Sequence, residues 1–153
     1  MRDVKDRNEQ FENIASVRKS LEEAGIPVIS IDTKKKEPLG NFKRPGKALS
    51  NGSLRSYDHD FGTFSNGTLV PHGIYDVTRN VGYMTMGISH DTSEFVCENI
   101  ERVWNDHLRK QYPNARTIAI LCDGGGSHKI VKQDLMNLAD RLNMRLLVMH
   151  YPP

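Results

Sequence analysis

Cysteine and long apolar runs are both scarce in this 153-residue chain. The two cysteines, Cys97 and Cys122, form no CxxC or Cys/His spacing, which argues against a zinc site. Each lies in a segment with a buried pattern, so we expect both to be reduced core residues. No apolar run reaches membrane-spanning length, and the N-terminus has no apolar signal region. These absences predict a cytoplasmic protein with no membrane partner.

The chain also lacks a large excess of either charge, because its 21 Lys and Arg residues nearly balance its 19 Asp and Glu residues and the net charge is only +2. So small a net charge does not by itself indicate nucleic-acid binding, which requires basic residues clustered on one surface. The chain is long enough for one domain with a real core. Its hydrophobic share of 37% and charged share of 26% fit an ordinary globular protein.

What the chain does contain is a regular succession of helical and strand patterns. Apolar spacing predicts helices over residues 8–24, 91–112 and 129–143, and strands over 28–34, 69–78, 82–89, 117–122 and 145–150. Residues 37–68 are broken by Gly, Pro and Asn and are predicted to be loop-rich, with one or two short strands. Asp91 is the predicted N-cap of the second helix, because Glu94 three residues later completes a capping-box pattern. The apolar positions of the hairpin are Tyr75, Val77, Tyr83, Met84, Met86 and Ile88.

This order predicts an α/β fold with a mixed sheet. The first three strands are expected to be antiparallel, followed by a parallel βαβαβ arrangement with helices on both faces of the sheet. We expect one domain overall, in which the helix within residues 1–25 packs on a core formed by residues 26–153.

Two aspartates each end a short apolar run. Asp32 follows residues 27–31, and Asp123 follows 118–122 and precedes Gly124-Gly125-Gly126-Ser127. A carboxylate at the end of a buried strand is costly unless it is paired or holds a cation. If these two strands are neighbours, both carboxylates lie within reach of one divalent metal.

Both aspartates also have a simpler interpretation. Asp32 can be a strand-end residue that caps a turn, since buried charges are often structurally paired. The glycines after Asp123 allow backbone N–H groups to face a phosphate, but a tight strand-to-helix turn also favours Gly. The glycine run does not match the GxxxxGK[ST] phosphate loop.

Basic residues cluster after the first strand, at Lys34-Lys35-Lys36 and then at Lys43, Arg44 and Lys47. They are suited to DNA phosphates, or they line a solvated loop. In a continuing strand, Lys34 and Lys36 share a face with Asp32. His59, between Asp58 and Asp60, resembles a ligand cluster, but a metal site requires convergent ligands and a solvated loop is the simpler interpretation.

Several longer motifs occur together, and their combination is more specific than any one of them. They are Ile31-Asp32-Thr33-Lys34-Lys35-Lys36-Glu37 with Gly40-Asn41-Phe42-Lys43, Asp58-His59-Asp60-Phe61, Pro71-His72-Gly73-Ile74-Tyr75-Asp76, Gly87-Ile88-Ser89-His90-Asp91-Thr92, Asp123-Gly124-Gly125-Gly126-Ser127 and His150-Tyr151-Pro152-Pro153. With these motifs the sequence resembles bacterial insertion-sequence transposases of the DDE type, in particular the Rhodopirellula-type DDE family. The resemblance runs from the first strand to the C-terminus and implies a ribonuclease-H-like core.

The resemblance also implies a chemistry. Asp32 matches the first catalytic acid and metal ligand and Asp123 the second, with Mg²⁺ (or Mn²⁺) as cofactor and transposon-end or target DNA as partner. Lys34, Lys36, Lys43, Arg44 and Lys47 are then the expected DNA-binding residues. Intact members cleave and transfer DNA strands, and their third acid is a glutamate in a helix beyond the His-Tyr-Pro-Pro motif.

On this basis the chain is expected to be a truncated core that is inactive alone, and a homo-oligomer is possible. Two alternatives stay open at this point. One is a non-enzymatic transposon remnant that binds DNA or a protein. The other is a small phosphohydrolase that uses residues 124–127 as an anion nest.

Overall fold

Six strands form one mixed sheet in the computed structural model. The structure describes residues 7–34, 36–47, 49–59, 62–88, 92–122 and 130–152. The strands are β1 (Val28–Thr33), β2 (Glu37–Leu39), β3 (Gly67–Asp76), β4 (Val81–Gly87), β5 (Thr117–Cys122) and β6 (Arg145–His150). Strand β3 is antiparallel to β4, β1 and β2, whereas β1, β5 and β6 run parallel to one another. The predicted α/β class, with antiparallel strands first and parallel strands last, is confirmed.

The helices lie on both faces of this sheet. They are α1 (Arg7–Glu23), α2 (Ser93–Val103) and α3 (Lys132–Leu142), and α2 continues through a π-helical turn (Trp104–Leu108) into a last α-helical turn (Arg109–Gln111). Ile14 and Leu21 of α1 pack on one face, and the apolar sides of α2 and α3 pack on the other. None of these helices is long and apolar enough to cross a membrane.

The central strands β1 and β5 are buried on both faces of the sheet, which explains why their sequences are nearly continuous apolar runs. In β1, Val28 faces the α1 side while Ile29 and Ile31 face the larger core beneath α2 and α3. Cys97 and Cys122 are buried and form no disulfide, as predicted. Burial raises the pKa of the Cys97 thiol to about 11, which keeps the thiol protonated and unreactive at neutral pH.

The apolar side chains of the hairpin differ in how far they are buried. Met84 and Met86 lie on the α1 side of the sheet and are exposed, as is Ile88, whereas Tyr83 on the opposite side packs against the core. Helix α1 packs on residues of β1 and β5, and no described helix covers this face of β3 and β4. A two-residue periodicity separates the two faces of a strand but does not say which of them is covered.

Thr92, not Asp91, is the N-cap of α2. Its backbone is extended, with φ −109° and ψ 160°, and its hydroxyl accepts a hydrogen bond from the Phe95 N–H. Asp91 lies outside the described residues. Asp and Thr are both good N-caps, so the capping-box pattern placed the start of the helix one residue too early.

Replacing Thr92 by Ala is expected to lower the free energy of unfolding by about 1 kcal/mol, because the Phe95 N–H loses its acceptor. Urea denaturation of the wild type and the variant measures this change. Thr92→Asn is the matched control, since Asn retains an accepting oxygen and should keep the stability of the wild type. Equal losses in both variants would show that the cap hydrogen bond is not the cause.

Candidate active site

The carboxyl ends of three parallel strands meet at one edge of the sheet. Ile31 of β1 pairs with Cys122 of β5, and Cys122 pairs with His150 of β6. Strands β1 and β5 are therefore neighbours, which is the condition for bringing the two aspartates together. Asp32 follows Ile31 directly, and Asp123 follows Cys122 in the sequence but lies outside the described residues, as do residues 124–127.

The Asp32 side chain is half exposed rather than buried, with 53% of its surface accessible. Its Oδ2 atom lies 3.0 Å from Nζ of Lys34, which is itself largely exposed. An exposed ion pair of this kind contributes roughly 0–1 kcal/mol to stability. Lys34 thus balances the charge of Asp32 through a contact that another cation can displace at little cost.

A shallow depression of about 360 Å³ lies beside Asp32 on the α1 side of the sheet. Its lining residues include Ser30, Gly73, Tyr75 and Met84. Because no described helix covers this part of the sheet, a ligand can approach the carboxylate from solvent.

The chemistry of Asp32 fits a hard divalent cation, since Mg²⁺ prefers oxygen ligands and keeps several waters. Among the described residues, no three His, Cys, Asp or Glu side chains are grouped as a metal site. His59 and Asp58 lie 3.9 Å apart and are both exposed. Asp58 raises the pKa of His59 through a backbone hydrogen bond and its charge, which disfavours the neutral imidazole that binds metals.

The five predicted DNA-binding residues are all exposed, but they differ in their contacts. Strand β1 ends at Thr33, and Lys34 then contacts Asp32. Arg44 lies 3.7 Å from Glu37, donates a hydrogen bond to the Pro38 carbonyl and sits over the Phe42 ring. The other three, Lys36, Lys43 and Lys47, form no ion pair with any described side chain.

Residues 33–57, here called the basic segment, hold seven of the 21 basic residues and only one of the 19 acidic residues. The segment therefore carries a net charge of +6, and the rest of the chain carries −4. The small overall charge hides a strong local excess, which is the clustering that nucleic-acid binding requires.

Sequence reasoning missed an aromatic cluster formed by Phe42, Tyr57 and Phe64. The Tyr57 ring stacks on Phe64 at a centroid distance of 4.7 Å and packs against Phe42 at 6.0 Å. The available signal was aromatic residues interleaved with basic ones in a loop.

A model of the family described as Rhodopirellula transposase DDE domain matches residues 1–153 of the chain. The chain belongs to this family. The resemblance inferred from the motifs around Asp32 and Asp123 is thereby confirmed for the whole sequence.

Solved structures with similar folds include three complexes of the Mos1 transposase. The paired-end complex with the left transposon end has a TM-score of 0.53 and 16% sequence identity, and the match covers 95% of this chain and 41% of that chain. The strand transfer complex has a TM-score of 0.53 and 16% identity, with 96% of this chain and 42% of that chain covered. The mariner paired end complex with Mn has a TM-score of 0.51 and 17% identity, with 92% of this chain and 40% of that chain covered. This DDE-family chain spans about two-fifths of the Mos1 chains. At such low identity the likeness shows the fold, which confirms the ribonuclease-H-like core. No curated protein gives a significant match.

Proposed function

We propose that this chain carries part of the catalytic core of a DDE transposase. In this proposal Asp32 and Asp123 are the first two ligands of a Mg²⁺ (or Mn²⁺) site, and the basic segment holds DNA beside it. The observation that carries the proposal is the register of two parallel neighbours. Ile31 pairs with Cys122, and each is followed in the sequence by an aspartate.

Divalent metals at such sites activate the attacking oxygen and stabilise the leaving oxygen of a phosphoryl transfer. The contribution of the chain is to supply and position charge. Asp32 offers carboxylate oxygens at an open sheet edge, where Lys34 is its counterion at 3.0 Å. A metal held by this carboxylate would replace Lys34 as its counterion, and the Lys34 ammonium would then be able to contact a DNA phosphate.

DNA binding by the chain is supported by the charge distribution. Lys36, Lys43 and Lys47 are exposed on a segment with a net charge of +6. Contacts of lysines with phosphates are independent of sequence and weaken as salt concentration rises, because they release counterions. The minimal function proposed for these 153 residues is therefore salt-sensitive DNA binding next to a carboxylate pair that binds metal.

Replacing Lys43 and Lys47 together by Ala is expected to weaken duplex binding and to reduce the slope of log K against log salt by about 2, since each phosphate contact contributes roughly 0.9. Fluorescence anisotropy with a labelled duplex at several salt concentrations measures the slope. The matched control replaces Lys110 and Lys132, which are exposed on helices, and should leave the slope unchanged. The same change of slope in both double variants would contradict a DNA interface on the basic segment.

A further inference from the structure

We propose that the stacked rings of Tyr57 and Phe64, here called the aromatic platform, bind an unpaired base of single-stranded DNA. This inference rests on the proposed DNA-binding function. It specifies that the basic segment and the adjacent Phe64 ring bind an unpaired base of the DNA. Bases stack on aromatic side chains in many proteins that bind single strands, and this contact tolerates any sequence.

The geometry of the platform suits a flat ligand. The planes of the two rings are within 6° of parallel, and 44% of Tyr57 and 50% of Phe64 is exposed. Phe42 behind Tyr57 is only 6% exposed and holds the pair on the protein. The rings of Tyr57 and Phe64 thus leave apolar surface exposed to solvent, although the adjacent Phe42 is buried.

The platform is held in place by backbone hydrogen bonds rather than by ring packing alone. The Tyr57 N–H donates to the Asn41 carbonyl at 2.8 Å, and the Lys43 N–H donates to the Tyr57 carbonyl at 2.7 Å. The Asn41 side-chain amide donates to the Arg55 carbonyl at 2.6 Å. Because these hydrogen bonds restrain the backbone around Tyr57, we expect binding to require little further loss of conformational freedom.

Charge complementarity selects a nucleic acid as the occupant. Tyr57 ends the basic segment and forms an isolated parallel β-bridge with Phe42, which Lys43 and Arg44 follow in the sequence. Cations beside an exposed ring stack match a ligand that alternates phosphates with flat bases.

The platform favours an unpaired base over a base pair. Inside a duplex both faces of each base are covered by neighbouring pairs, so stacking on a side chain requires a base that has left the helix or lies at an end. The proposed strand-cleavage chemistry produces such ends. In the sequence, β2 begins four residues after β1 ends and leads from the Asp32 end of β1 into the loop.

The test uses the full 153-residue chain and a single strand of about 12 nucleotides that contains 2-aminopurine. An abasic strand of the same length and a duplex are the comparison ligands. We expect the intact strand to bind more tightly than the abasic strand, with quenching of the 2-aminopurine fluorescence by stacking. Phe64→Leu and Tyr57→Leu should each weaken binding of the intact strand by about 5- to 150-fold, the range measured for base–aromatic stacking. Binding of the abasic strand and the duplex should change little.

Two further variants separate stacking from loop integrity. Tyr57→Phe keeps the ring and should bind like the wild type. Phe11→Leu removes an exposed aromatic ring from α1 and should have no effect. Equal affinity for intact and abasic strands, or equal losses with both strands in Phe64→Leu, would overturn the platform but leave the proposed DNA binding standing. Failure of the wild type to bind any of the three DNA ligands would overturn both.

Discussion

Replacing Asp32 by Asn is expected to abolish Mn²⁺ binding and to leave the fold intact. The substitution keeps the size of the side chain but removes the negative charge that makes it a ligand for a hard cation. Little stability should be lost, because Lys34 is the one ion-pair partner of Asp32 among the described residues and both side chains are exposed. Asp123→Asn should have the same effect, since Asp123 is the second proposed ligand.

Calorimetric titration of Mn²⁺ into the wild type and both variants measures this effect, with an expected loss of affinity of at least about tenfold, or 1.4 kcal/mol. Asp58→Asn is the matched control, because it removes an exposed carboxylate of the same residue type whose neighbour is His59 and not Lys34. Unchanged Mn²⁺ affinity in Asp32→Asn and Asp123→Asn would contradict the assignment of the site.

The wild-type titration also distinguishes the proposed catalytic core from the non-enzymatic alternative. Mn²⁺ binding that disappears in both variants would show that the aspartates act together as a site. A wild type that binds duplex DNA but no metal would instead favour the non-enzymatic alternative, a transposon remnant that binds DNA or a protein.

The sheet could be predicted from the sequence because its strands are short apolar runs with clear ends. Strands β5 and β6 have the predicted bounds, and β1 ends one residue earlier than predicted. Strands β1 and β5 are rich in β-branched residues, β6 is a run of apolar residues, and all three are flanked by turn-forming or polar residues, so local pattern identifies them. The adjacency of β1 and β5 stayed open in the sequence, because element order narrows the possible sheet topologies without selecting one, and it is the strand pairing that establishes it.

The basic segment and its neighbourhood could not be predicted in the same way. Phe42, Tyr57 and Phe64 are far apart in a stretch without periodicity, and only tertiary contacts bring them together. The apolar pattern also predicted that Lys34 belongs to the first strand. In the structure β1 ends at Thr33, so Lys34 contacts Asp32 from outside the strand. Both features depend on how an irregular chain closes on itself, for which residue type is a weak guide.

Replacing Tyr112 by Phe is expected to lower the free energy of unfolding by roughly 2 kcal/mol, the loss expected when a buried carboxyl group loses a strong donor. Asp76 at the end of β3 is fully buried, and its two oxygens accept from the Tyr112 hydroxyl at 2.9 and 3.0 Å. Its Oδ1 atom also accepts from the Arg79 N–H at 3.2 Å. The carboxyl group thus joins the hairpin turn to the segment that follows α2.

The pH dependence of stability gives a second readout of this contact. Burial, followed by the hydrogen bond to Asp76, raises the pKa of Tyr112 to about 12 from an ordinary value of 10.0. A raised pKa means that the folded state favours the protonated phenol. The stabilisation is therefore complete below pH 10 and is lost as the pH rises towards 12. The difference in stability between wild type and Tyr112→Phe should shrink over that interval.

A double-mutant cycle isolates the interaction between the two side chains. Asp76→Ala should cost about 3 kcal/mol, because the Tyr112 hydroxyl and the Arg79 N–H both lose their acceptor. Once Asp76 is gone, Tyr112→Phe should cost little more, so the double variant should be more stable than the sum of the single losses predicts, by about 1–3 kcal/mol. Tyr75→Phe removes an exposed hydroxyl that donates to Asn80 in the same hairpin and should change stability by less than about 0.5 kcal/mol. Additive losses in the cycle would mean that Asp76 and Tyr112 stabilise the fold independently, and the carboxyl group would then not be the link between the hairpin and the end of the helix.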